Sequence, residues 1–348
     1  MTASAFINTR PTFKLNGQSR ANLEPALTAM VVNLPLHGCG HGELHLTNWG
    51  VPDGGQDPDF VLDDIALGAE LEIQMGEDNP VTLFKGEITA VEERYGEGAP
   101  ILVLLVQDKL HRLARARHCR TFEDQSPDDV VQSIASAAGL QADVSISTLT
   151  ATWHQLNESD LAFLLRIAGR FDIGLRLVGN TLRAKAEEAD SAPVALSAQD
   201  SALKVRLIAD LNHQPSASAV HGYNLADDAA ADHSASSMTP APGGTSAATT
   251  LGNLSWSSDE IVPQPFARSS AEAEAYATAH FRRQAKRFIQ GEIVCQGEPS
   301  LTSGREIELS GVSPRLRGIY QVVHCVHRFD SVSGYETHLK VNKGGWQP

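Results

Sequence analysis

The run His37-Gly38-Cys39-Gly40-His41, with His45 four residues further on, gathers side chains that ligate zinc at neutral pH. The chemistry it would support is metal binding and, through it, a metal-dependent hydrolysis. Its spacing matches none of the standard zinc patterns, so His37, Cys39 and His41 are metal candidates by residue type alone. Alternation puts His45 with Glu43 on the polar side of a strand, and glycines flanking Cys39 suit a loop better than a rigid cage. His324, Cys325, His327 and His338 form a second group on two strand-like runs. Strand parity points His324 away from Cys325 and His327, so no simple triad is expected.

No phosphate-binding loop, HExxH, GxSxG elbow or glycine-rich dinucleotide turn occurs in the sequence. Pairs such as Asp63-Asp64 and Glu92-Glu93 read as surface charge rather than as a general acid and base. A glycosidase-like dyad drawn from distant carboxylates stays open. No catalytic residue and no cofactor is therefore assigned. A formal net charge of -14 over 348 residues argues against sequence-specific nucleic-acid binding, which relies on Lys and Arg to displace counterions. Four widely spaced cysteines, Cys39, Cys119, Cys295 and Cys325, suit reduced thiols in a cytoplasmic product. The N-terminus lacks a signal pattern, and no run reaches the roughly 20 apolar residues of a membrane span.

From Thr12 to Gln107 short apolar runs are separated by Gly, Pro, Asn and Asp, the rhythm of an all-β module. Leu71, Ile73 and Met75 alternate with Glu70, Glu72 and Gln74, as do Leu44 and Leu46 with Glu43, His45 and Thr47. A basic run, Arg115, Arg117 and Arg120, reads as solvated charge or a contact for a partner's carboxylates. Ser126-Pro127-Asp128-Asp129 starts a helix carrying Val130, Val131, Ile134 and Ala138, with Gly139 placed to end it. A second helix follows Asn157-Glu158-Ser159-Asp160, with Leu161, Leu164, Leu165 and Ala168 on one face, and Gly179-Asn180 turns a tight hairpin.

Residues 224–259 are dominated by small and polar types and read as a flexible loop or arm, either a clamp on a neighbouring subunit or a cargo tether. A capping box at Ser269 opens a helix expected to run to Gln290, with Ala273, Ala277, Phe281, Ala285 and Phe288 inward. Strands then return, ending in a hairpin whose second strand alternates Tyr335, Thr337, Leu339 and Val341 with Glu336, His338 and Lys340.

Several phrases carry a family resemblance: Tyr320-x-Val322, His327-Arg328-Phe329-Asp330, Gly334-Tyr335-x-Thr337, LFKGEITAV from Leu83 to Val91, and QLNESDLAFLLRIAGR from Gln155 to Arg170. In these the chain resembles the phage late control protein D family, baseplate hubs that also form the hub portion of VgrG spikes. The resemblance runs roughly from Leu71 to Val341 and is weakest before Gly68. It implies a mainly β fold with an α+β insert: two tube-protein-like β-barrel modules, residues 1–117 and 201–348, flanking a small α/β domain at 118–200. It further implies a homotrimeric structural protein, not an enzyme, made in the cytoplasm and assembled into the baseplate of a virion or phage-tail-like particle. There it would join a hexameric tail tube, or a tube-initiator protein, to a trimeric spike among other baseplate proteins. Because the chain ends soon after the last hub strand, that spike would be a separate protein. The other classes to weigh are a hub-associated metal-dependent or cell-wall hydrolase and a cargo-binding adaptor.

Overall fold

The closing hairpin, Gly318–Asp330 paired with Gly334–Lys343, is the element on which the rest is built. Its turn forms because the Asp330 carboxylate accepts hydrogen bonds from the amides of Val332 (2.8 Å) and Ser333 (2.6 Å), while Gly334 takes φ +74°, where a side chain would be strained. Tyr335, Thr337, Leu339 and Val341 are all buried, as their alternation predicts. The first strand holds parity through Tyr320 and Val322 and again through Cys325, His327 and Phe329. Between Val322 and His324 a bulge shifts it by one residue.

The computed structural model describes residues 10–347, apart from 53, 77–79, 97, 187–191, 240 and 242. The first nine residues, in which no signal pattern was found, and the terminal Pro348 lie outside the described residues. A 13-stranded sheet runs through both ends of the chain. From the hairpin it continues one way through Ile289–Gln296 to Ala202–Ala209. The other way it passes through Leu27–Pro35, His41–Thr47, Ile101–Gln107, Val81–Arg94 and Glu70–Met75 to Thr12–Leu15 and Gln18–Ser19. The seam is the antiparallel pairing of Gly318–Asp330 with Leu27–Pro35.

Two cores lie against this sheet. The first gathers Leu44, Leu46, Leu71, Ile73 and Met75 of the N-terminal strands with Phe329 and Tyr335 from the tip of the hairpin. Each such aliphatic side chain contributes about 2 kcal/mol by leaving water. The second gathers Ile293, Cys295, Tyr320, Val322, Leu339 and Val341. One hairpin thus serves both modules, the tip in one core and the base in the other. The β-rich class expected from the sequence is what the structure has, with the N-terminal and C-terminal strands joined in one sheet.

A third core belongs to the insert. Pro127–Ala137 is capped as expected, with reciprocal bonds between Ser126 and Asp129, but Ala135 rather than Ala138 completes its buried stripe. Asp160–Arg170 begins at Ser159, which accepts from the amide of Ala162, and Gly179-Asn180 closes a two-residue hairpin. The same core takes in Val220, Val262, Ala273, Tyr276, Ala277 and Phe281, so Ala217–Asn224, Asp259–Ala267 and the helix Ser270–Ala285 pack with the insert, while Ala247 joins the core of the second β module. Val194–Ser197, inside the span expected for the insert, instead pairs with Glu306–Ser310 in the large sheet.

Two sequence expectations need correction. The stretch 224–259 is built into the fold where it is described: Ala229–Ala230 and His233–Ala235 pair with Ala217–Asn224, Thr245–Ser246 pairs with Gly345–Trp346, and Ala247–Asn253 is a short helix. Ala231, Ala235, Ala247 and Leu251 are buried and anchor these elements, while Leu225, Leu254 and Trp256 stay exposed between them. The helix from Ser270 ends at Ala285, short of Gln290, because Ile289–Gln296 is needed as a sheet strand beside both Ala202–Ala209 and the hairpin. Its capping is also modified: Ser269 accepts from the Glu272 amide, and the Glu272 carboxylate reaches back to the Arg268 amide at 2.7 Å.

Candidate functional site

The glycine-flanked Cys39 turns out to be a structural fastening. Its thiol donates to Asp108 Oδ1 at 3.1 Å, while Asp108 also accepts from the amides of Gly40 (2.6 Å) and Leu110 (2.9 Å). One carboxylate therefore ties the loop before His41–Thr47 to the start of the short helix Leu110–Leu113, at the entrance to the insert. Burial, with the neighbouring Asp108 charge, pushes the Cys39 thiol well up, so it is protonated at neutral pH, the opposite of a metal-ligating or nucleophilic thiolate. His41 is exposed on its strand, and His45 pairs with Glu43 at 2.5 Å on the polar face, as alternation predicts. His37 sits apart from both, against the turn at Asp172 and the end of the long helix. Among the described residues no three His, Cys, Asp or Glu side chains are grouped to hold a metal ion.

The second group is divided as parity requires. Cys325 and His327 share the buried face, with Sγ and Nε2 3.4 Å apart, while His338 pairs with Glu336 at 2.9 Å on the other side. His327 Nε2 lies 3.0 Å from the Leu301 carbonyl, which can only accept, so Nε2 carries the proton and Nδ1 accepts from the Tyr335 hydroxyl at 2.8 Å. Burial pushes the imidazole down to about 4 and raises the Cys325 thiol. A neutral, sealed Cys–His pair is poorly suited to nucleophilic catalysis, which needs thiolate and access. What it does is satisfy polar atoms inside the hairpin.

The expected basic run is mostly spoken for within the chain: Arg120 bonds Asp160 and Gln155, and Arg117 bonds the Asn157 carbonyl. Asp64 is held by Arg20 and Glu92 by Arg94, which leaves these carboxylates as surface ion pairs. What remains unpaired is backbone. Among the described residues, Ala202–Ala209 has a neighbour strand on one side only at one end of the large sheet, and Asp259–Ala267 pairs only with Ala217–Asn224. Such edges can pair with another chain. Neither edge is legible in the sequence, since an edge is a property of the assembled sheet.

A family model described as the Alg8 N-terminal domain matches residues 59–331, most of the chain. The chain belongs to this Alg8_N family. The sequence matches no curated protein. Three solved structures place the fold. The prophage MuSo2 43 kDa tail protein from Shewanella oneidensis is 12% identical, with a TM-score of 0.72 over 97% of this chain and 98% of its own. A tail protein from Neisseria meningitidis MC58 is 11% identical, with a TM-score of 0.67 over 97% and 98%. The Escherichia coli c3393 protein, a type VI secretion component described as similar to T4 tail proteins gp27 and gp5, is 12% identical, with a TM-score of 0.58 over 97% and 79%. At such identities the likeness is one of fold. The Alg8_N chain thus has the fold of phage tail proteins, which agrees with the hub resemblance at that level; the late control protein D family is not the one whose model matches.

Proposed function

We propose that the chain is a structural baseplate hub of a contractile tail or phage-tail-like injection system, the counterpart of late control protein D proteins. In this reading it is a homotrimer that adapts a hexameric tail tube, or a tube initiator, to a separate trimeric spike, within a baseplate of further proteins. The observation that carries it is the end-to-end likeness of fold to two phage tail proteins, 97% of this chain against 98% of each. Two β modules on one continuous sheet lend it support, because three such subunits would present six similar modules to a sixfold tube and three equivalent faces to a spike. The free edge of Ala202–Ala209 offers the backbone pairing that such a ring needs. The work is mechanical and calls for no catalytic residue, metal or cofactor. Among the described residues no helix is long and apolar enough to cross a membrane.

Light-scattering mass over a concentration series, with the chain alone and with its candidate spike, tests the reading. A trimer that captures a trimeric spike is the expected result. A monomer at every concentration that ignores the spike would overturn it.

A further inference from the structure

The wet face of the terminal strands is a cleft of about 710 Å³ rather than an open surface. Cross-strand pairing sets Arg206, Glu292 and Lys340 in one row of its floor and Ile208, Gln290, Asn342 and Gln321 in the next. The C-terminal end of the long helix adds Arg283, Lys286 and Arg287, and His37 and Asp172 close one side. Five cations therefore line the cleft against two carboxylates, in a chain whose net charge is -14.

One of those carboxylates is already engaged: Asp172 bonds Arg282 at 3.0 Å and Lys286 at 3.2 Å, with Arg283 at 3.5 Å. Among the described residues Arg206, Arg287 and Lys340 have no carboxylate within ion-pair distance, although Glu292 stands between two of them in register. Isolated cations of this sort are ordinary on a convex surface. Converging from two strands and a helix end on one concavity, they make a local positive potential in a chain that is negative overall. His37 feels it: burial lowers its pKa, Asp172 works against that, and Arg283, Lys286 and Arg287 lower it further.

We propose that this cleft binds a short acidic peptide segment of a partner protein, its carboxylates meeting Arg206, Arg287 and Lys340. The floor favours a peptide over a polyphosphate or nucleic acid. Gln290, Gln321 and Asn342 offer amides that match a peptide backbone, and Ile208, 54% exposed, offers aliphatic surface to its side chains. A nucleic acid longer than the cleft would have to follow a chain whose net charge is -14, whereas a short segment engages the cleft alone. The site does not depend on the hub reading.

The test is fluorescence anisotropy of labelled hexaglutamate with the full chain at low salt. Saturable binding that weakens as salt is added is expected, with R287E/K340E weakening it about tenfold or more and E292Q, which removes an unpaired anion from the floor, strengthening it. Circular dichroism establishes that the variants are folded; should R287E/K340E fail to fold, the direction of the E292Q effect decides. No binding, equal binding of hexaserine, an unchanged R287E/K340E affinity or no gain with E292Q would each overturn the proposal. Tighter binding of a short single-stranded oligonucleotide than of hexaglutamate would overturn its peptide assignment.

Discussion

His327 shows how much one buried side chain can decide. Its imidazole is fully buried and neutral, hydrogen-bonded at both nitrogens, and held at a pKa of about 4 against an ordinary 6.5. The unfolded chain therefore takes up a proton that the folded chain refuses as pH falls through that window. Stability is full above pH 6.5 and lost progressively towards pH 4, by an amount of about 3 kcal/mol for a shift of this size. Urea midpoints at pH 7 and pH 4.5 for the native chain and for His327→Gln should show the variant less stable at pH 7 but less sensitive to acid. Equal acid sensitivity in both would mean that His327 is not the buried neutral group described. Cys39 and Asp108 teach a related lesson. Residue types that read as metal ligands in a list are absorbed by fastening one loop to one helix.

Among the elements, the closing hairpin carries the most information, and its packing is least forgiving where backbone meets ring. Gly297 donates its amide to the Tyr335 carbonyl at 2.9 Å, and a Cβ there would lie 1.9 Å from the Tyr335 ring. Gly297→Ala must displace that ring, and with it the hydroxyl that serves His327, so a loss of about 1–3 kcal/mol is expected. A thermal melt reads it directly; a variant as stable as the native chain would show that the strand end yields freely. The bulge after Val322 matters in the same way. It lets Tyr320 and Val322 face one core and Cys325, His327 and Phe329 continue on the buried side, where strict alternation would have turned them to water.

At the scale of the whole molecule, the two β modules are not independent. Phe329 and Tyr335 complete the N-terminal core, and Leu27–Pro35 has Gly318–Asp330 as its partner along one edge. A fragment of residues 1–117 would expose that edge and lack those two rings. It is expected to show no cooperative unfolding transition by circular dichroism, while the full chain does; a sharp transition in the fragment would establish a self-sufficient module. The insert is tied in likewise, since the helix Ser270–Ala285 packs in its core and holds Asp172 with Arg282, Arg283 and Lys286.

The sequence by itself determined what is local: the caps at Ser126 and Ser269, the helix after Asn157-Glu158-Ser159-Asp160, the turn at Gly179-Asn180, the buried face Tyr335-Thr337-Leu339-Val341, and the polar placement of His45 beside Glu43. These follow from the period of a strand or helix and from bonds within a few residues. Only the tertiary structure decided that one hairpin joins two modules, that the described part of 224–259 supplies short strands and a helix to the fold, that the long helix stops at Ala285, and that Arg206, Arg287 and Lys340 converge. These depend on which strand claims a segment and on pairings between segments distant in the chain, such as Leu27–Pro35 with Gly318–Asp330 and Ala202–Ala209 with Ile289–Gln296, and no periodicity in the chain encodes either.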